Sequence, residues 1–166
     1  DIETPIFPRS AVKSFQALPL VESGIADRFG LTDEELALTI SSHSGEPRHT
    51  ETALGILQKA GRDQTCLECG AHWPSDNVAE RALAAASQKP SALHNNCSGK
   101  HSGFICLACG LDEDPKGYIN PNHRVQKEIR AAGEEITNFR VRDEWTGTDG
   151  CSIPTYAVPL KNLAHG

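Results

Sequence analysis

The chain has 166 residues, 22 acidic against 16 basic side chains, a formal net charge of −6 and 38% hydrophobic residues. An acidic balance with no Lys/Arg cluster lacks the electrostatic footprint of a nucleic-acid or anionic-membrane binder. No apolar run reaches the roughly 20 residues that span a bilayer, so a soluble chain with neither nucleic acid nor membrane as partner is expected.

At this length a core forms without disulfides or metal as a support, and we expect one domain over residues 1–166. There is no methionine, and the segment at 159–166 breaks off as a helical pattern begins. The chain therefore reads as an internal or truncated portion of a longer domain. Six cysteines with no secretory leader suit a reducing compartment, which points to the cytoplasm.

In chain order, the apolar positions from Ser10 to Ala17 fit one face of a short helix that Pro19 and Gly24 bring to an end, with Ser10 in its first turn. Thr32-Asp33-Glu34-Glu35 has the pattern of a capping box and opens a helix to about Ile40. Ser41 to Pro47 reads as a polar turn. Helices are expected over 50–60, stopped by Gly61, and over 75–88, capped by Ser75 or Asp76. The stretch HNNCSGKHSG at 94–103 reads as a glycine-flanked polar loop. It leads into an all-apolar buried helix at 104–109 that Gly110 ends. Asn120-Pro121 starts a polar helix to about Ile136, and from Phe139 the texture turns to short strands or extended loops. The outcome is a mostly helical chain with little sheet of its own.

Three groups of residues carry possible chemistry. Cys66, Cys69, Cys106 and Cys109 form two C-x-x-C pairs, but their separation exceeds that of zinc ribbons and the second pair falls in the buried helix. Ser10-Ala11-Val12-Lys13 is S-x-x-K, which sets a hydroxyl and an amine on one face of a helical turn. A desolvated, neutral lysine can take the proton of a serine, although the spacing alone is equally that of a solvent-facing helix start. Cys97 and His101 have the spacing of metal ligands on a turn, and Cys151 lies in a second glycine-flanked loop. Two thiolates and one nitrogen suit zinc. Spacing alone selects His101 as that nitrogen, and two unrelated buried cysteines remain the plainer alternative.

Taken together, Pro-Arg-Ser-Ala-Val-Lys at 8–13, Ser-His-Ser-Gly-Glu-Pro at 42–47, Cys-Gly-Ala-His-Trp-Pro at 69–74, His-Asn-Asn-Cys-Ser-Gly-Lys-His-Ser-Gly at 94–103 and Thr-Asp-Gly-Cys at 148–151 resemble the rhizobial-type, or thermolabile, L-asparaginase family. The resemblance runs in order along nearly the whole chain. It implies an α/β fold (α+β) of the serine β-lactamase, penicillin-binding-protein and glutaminase kind, with a helical region on an antiparallel sheet. It also implies hydrolysis of L-asparagine, a small-molecule substrate, to L-aspartate and ammonia, by a homodimer.

Position by position, the resemblance implies Ser10 as nucleophile, Lys13 as its base and Ser42 as a second serine relaying protons. It places Arg9, His101 and Asp149 in the substrate pocket. The implied ligands of Zn2+ are Cys97, Lys100 and Cys151, which makes Lys100 rather than His101 the nitrogen donor. A lysine partner for the second serine and the strands before the S-x-x-K helix belong to the family pattern, and both are expected outside these residues. The rival readings are a glutaminase of the same fold and a zinc-stabilised binding module built on the C-x-x-C cysteines.

Overall fold

The capping box expected at Thr32 is formed. A computed structural model describes residues 1–166, and in it the Thr32 hydroxyl accepts from the Glu35 amide at 3.3 Å while the Glu35 carboxylate accepts from the Thr32 amide at 2.7 Å. The helix that follows, α3, spans Asp33–Thr39. Its Glu35 also meets Lys59 Nζ at 2.5 Å, tying the start of α3 to the last turn of α4, Pro47–Lys59. Helix α4 begins three residues before position 50 because Pro47 sits in its first turn, where a missing N–H costs no hydrogen bond. Asp76 caps α5, Asn77–Ala85, by accepting from the amides of Val78 and Ala79.

At the N-terminal side, strand β1 is Pro5–Ile6, a 3-10 turn spans Arg9–Val12, and α1 spans Lys13–Glu22. Pro19 does not end this helix but lies inside it. Its ring removes one backbone bond, yet Gln16 and Leu20 around it are buried and α1 packs along α6 and α7. Tertiary burial outweighs the lost bond. The reversal comes at Gly24, whose φ of 70° glycine adopts without strain. The short helix α2, Ile25–Arg28, follows.

The largest departure from the sequence reading is the stretch at 94–103. Only its first residues form a turn; Cys97 is the N-cap of α6, Ser98–Gly110, in which every residue but Cys109 is buried. The glycines serve close packing rather than flexibility. A Cβ on Gly99 would lie 2.5 Å from the Leu38 carbonyl oxygen, and one on Gly103 would lie 3.0 Å from the Thr39 methyl. Helix α3 thus crosses the first half of α6 at backbone contact distance. Around α6 the core gathers Leu20, Ile25, Leu38, Ala53, Ile56, Leu57, Tyr118, Val125 and Ile129.

Helix α7 spans Arg124–Ile136, capped by the His123 ring, which accepts from the Val125 amide. It starts later than Asn120 because residues 120–123 form a turn closed by the His123 amide on the Asn120 carbonyl. Strand β2, Thr146–Thr148, pairs antiparallel with β3, Pro154–Tyr156, with Thr146 opposite Tyr156 and Thr148 opposite Pro154. Strand β4, Val158–Pro159, pairs antiparallel with β1, with Ile6 opposite Val158, and α8, Leu160–His165, ends the chain. Trp145 falls in a 3-10 turn, Asp143–Trp145, rather than in a strand. The architecture mixes packed helices with two small antiparallel sheets, in keeping with the α/β expectation. No helix is long and apolar enough to cross a membrane.

Candidate active site

Three side chains from two distant segments meet at the start of α1. Lys13 is 2% exposed and its Nζ donates to the Ser42 hydroxyl at 2.8 Å and to the Ser41 carbonyl at 2.5 Å. Ser42 Oγ stands 3.3 Å from Ser10 Oγ. Ser10 and Ser42 are both exposed, so a solvent-facing hydroxyl pair ends on a buried amine. The helical spacing of S-x-x-K brings Ser10 and Lys13 to the same corner, but the structure joins them through Ser42. Burial is the main influence on Lys13, pushing its pKa below the usual lysine value, with the Cys97 thiol opposing it.

Ser42 owes its position to residues that the sequence reading quoted without giving them a role. The His43 amide donates to the Asn96 carbonyl, and the His43 ring bridges the Gly45 amide, at Nδ1, and the Ser98 hydroxyl, at Nε2. Because Nδ1 accepts, Nε2 carries the proton and donates to Ser98, whose own hydroxyl donates to the Leu93 carbonyl. Burial first, then the nearby His49, Lys13, His72 and His94, pulls the His43 pKa down to about 4. Asn95 holds the turn before α6: its amide donates to the Cys69 and Gly70 carbonyls, and its oxygen accepts from the Cys97 amide. The only advance signal for these roles was their place beside Ser42 and Cys97.

Arg9, next to Ser10, has a φ of 51°, a left-handed conformation uncommon for a residue with a Cβ. It pairs with Asp149 at 3.2 Å; the arginine side chain is 69% exposed and the aspartate 9%. Asp149 is fixed by the Gly150 amide, 2.8 Å from its Oδ1, and by the turn from Asp149 to Ile153 at the tip of the β2–β3 hairpin. The same tip carries Cys151.

Beneath the hydroxyl pair lie Cys97, Lys100 and Cys151, at 5%, 2% and 4% exposure. Lys100 Nζ donates to Cys151 Sγ at 3.2 Å. The proximity of the two thiols draws Cys97 down to about 6, against burial, and together with burial pushes Cys151 up to about 11.

No three His, Cys, Asp or Glu side chains converge as metal ligands, so His101 does not join Cys97 and Cys151, and the C-x-x-C cysteines do not gather either. A metal held by Cys97 and Cys151 would have Lys100 as its third donor. Zinc bonds of about 2.3 Å to sulfur and about 2.0 Å to nitrogen make a tetrahedral S–N edge of about 3.5 Å, a few tenths longer than the Lys100–Cys151 distance. The two thiols suit zinc in chemistry, and the Lys100–Cys151 spacing is close to that edge.

His101 is fully buried. Its Nδ1 lies 2.6 Å from Tyr118 Oη, its ring contacts Phe104, and its Nε2 has no hydrogen-bond partner. Arg9, next to Ser10 in sequence, pairs with Asp149, whereas His101 is a buried neighbour of Cys151. An apolar groove lined by Val12, Phe15, Ile129, Tyr156 and Val158 contains none of these groups.

A hydroxyl pair on a buried amine, beside two thiols and a second amine, belongs with hydrolytic rather than ligand-storage chemistry. The family model for L-asparaginase II matches residues 1–166, and the chain belongs to that family. It is thereby an asparaginase-type hydrolase acting on a small-molecule amide. No individually curated protein matches the chain.

Proposed function

We propose that the protein hydrolyses the side-chain amide of L-asparagine to L-aspartate and ammonia through an acyl-enzyme on Ser10. The observation that carries this reading is the continuous path Ser10–Ser42–Lys13, an exposed hydroxyl connected by a second hydroxyl to a desolvated amine. Ser10 Oγ attacks the amide carbon, and its proton passes over Ser42 to neutral Lys13. When the C–N bond breaks, Lys13 and Ser42 return that proton to the leaving nitrogen, releasing ammonia. Water then attacks the ester carbon, the relay takes its proton, and Ser10 leaves as the restored hydroxyl.

Arg9 and Asp149 are of opposite charge and adjoin Ser10, which suits recognition of the α-carboxylate and α-ammonium of an amino acid, with His101 closing the pocket behind them. Cys97, Lys100 and Cys151 would hold a zinc ion, which when bound supplies charge and a tie between α6 and the hairpin tip. The α6-centred helical core with antiparallel strand pieces supports a serine β-lactamase-like fold. A cytoplasmic homodimer is part of the same reading.

Ammonia release from L-asparagine and from L-glutamine tests the proposal. Faster turnover of asparagine, abolished in Ser10→Ala, is expected. Preference for glutamine would establish the glutaminase reading, and near-normal turnover by Ser10→Ala would remove Ser10 as nucleophile.

A further inference from the structure

Tyr118 is fully buried in the core, and its phenol oxygen has two neighbours. The Glu68 amide donates to it at 2.9 Å, and His101 Nδ1 lies 2.6 Å away. The Glu68 segment is itself pinned to the Tyr118 turn, because Glu68 Oε1 accepts from the Gly117 amide at 2.7 Å. An amide N–H only donates, so the phenol accepts there, and its single proton has one available acceptor, Nδ1 of His101.

The reverse arrangement, Nδ1–H donating to the phenol, would leave both the phenolic proton and the Nε2 lone pair unpartnered in the core. The first arrangement leaves only the Nε2 proton so. An unsatisfied buried polar group costs on the order of 1–3 kcal/mol, and the count favours the first. Burial also raises the Tyr118 pKa above the usual phenol range, so the proton remains on the oxygen available for donation.

We propose that Tyr118 is a positioning residue: by donating to Nδ1 it fixes His101 as the Nε2–H tautomer and so leaves an unpaired buried donor beside Cys151. This rests on the zinc site proposed above and adds an outer layer to it, running from the Glu68 amide through Tyr118 and His101 to a thiol ligand. A histidine of fixed tautomer next to a ligating sulfur orients that sulfur, and losing such a contact typically weakens metal binding about 10- to 100-fold.

The test is two-bond 1H–15N NMR on protein labelled in its histidines, with His101 assigned by its loss in His101→Asn. The wild type is expected to show His101 protonated at Nε2. Tyr118→Phe keeps the ring in place and is expected to convert His101 to the Nδ1–H form or to a mixture, and to weaken zinc binding at least about 10-fold in a competition titration. A wild-type His101 protonated at Nδ1 overturns the proposal without any variant having to fold. An unchanged tautomer in folded Tyr118→Phe, or unchanged zinc affinity, overturns it as well. Absence of zinc binding in the wild type, with the expected tautomer present, would instead reject the metal reading and leave the relay standing.

Discussion

Lys13 and Ser42 are hydrogen-bonded at 2.8 Å, although 29 residues separate them, and Ser10 reaches the amine only across Ser42. In the proposed mechanism the second serine is therefore the middle of the relay rather than an auxiliary to it. Ser42→Ala is expected to lower kcat for asparagine by about 10²- to 10⁴-fold, the usual contribution of a positioned proton-transfer group, with a much smaller change in KM. Steady-state kinetics would show it. A kcat within a few-fold of wild type would mean that Ser10 passes its proton to Lys13 directly.

Zinc is expected to be lost from Cys97→Ala and Cys151→Ala and retained by a Cys106→Ala/Cys109→Ala double variant. Elemental analysis of the purified proteins reads this directly. Metal removal by a chelator should raise KM more than it lowers kcat, the pattern of lost binding common to ground and transition states, because the proposed mechanism takes its nucleophile from Ser10 and not from the metal. Complete loss of kcat in folded, metal-free protein would place the metal in the chemical step.

The contact between α3 and α6 predicts opposite effects for two glycine substitutions. Gly99→Ala puts a methyl 2.5 Å from the Leu38 carbonyl oxygen, and overpacking of this kind costs about 1–3 kcal/mol. Gly133 in α7 has nothing within 4 Å of the added carbon, so Gly133→Ala should add about 0.4–1 kcal/mol of stability. Urea unfolding of both variants separates the cases; a harmless Gly99→Ala would mean that α3 can move away from α6 freely.

His43 predicts how stability depends on pH. Its folded pKa of about 4 lies below the ordinary 6.5, so the unfolded chain binds the extra proton between those values and the folded chain does not. The stabilising contribution is complete above pH 6.5 and is lost as pH falls toward 4, amounting to roughly 2–3 kcal/mol. The ring faces Ser98 and the Gly45 amide, stacks on His49 at 5.1 Å, and has Lys13, His72 and His94 around it, none of them a compensating anion. Urea midpoints between pH 7.5 and 4 should fall in the wild type and fall less in His43→Gln. Equal slopes for the two proteins would assign the acid sensitivity to other groups.

Local rules were readable where one short segment supplies all the partners. The Thr32 box and the Asp76 cap are of this kind, because each needs only residues within three positions. The 94–103 stretch was not: glycine and polar residues read as a loop, whereas Gly99 and Gly103 are small because α3 crosses there. The site divides in the same way. Spacing offered Ser10 and Lys13 as candidates, and Cys97 and Cys151 with His101, while Lys100 in place of His101 came from resemblance alone. Ser42 as the bridge, His43 and Asn95 as its supports and Tyr118 behind His101 depend on contacts between distant segments that no periodicity encodes.

One continuous helix, α6, carries Lys100 and His101 in its first turn and goes on to form the centre of the core through Phe104, Ile105 and Leu107. Opening of the chain near Lys100 therefore requires exposing Ile105 and Leu107 as well. In hydrogen-exchange terms, the His101 amide, which donates to the Cys97 carbonyl, should exchange only through events close to global unfolding, while the amides of the 41–46 segment and the 149–152 hairpin tip, which carry Ser42 and Asp149 with no regular helix around them, should exchange sooner. Ser42 and Asp149 would then respond to local openings that leave His101 and the core beneath it closed.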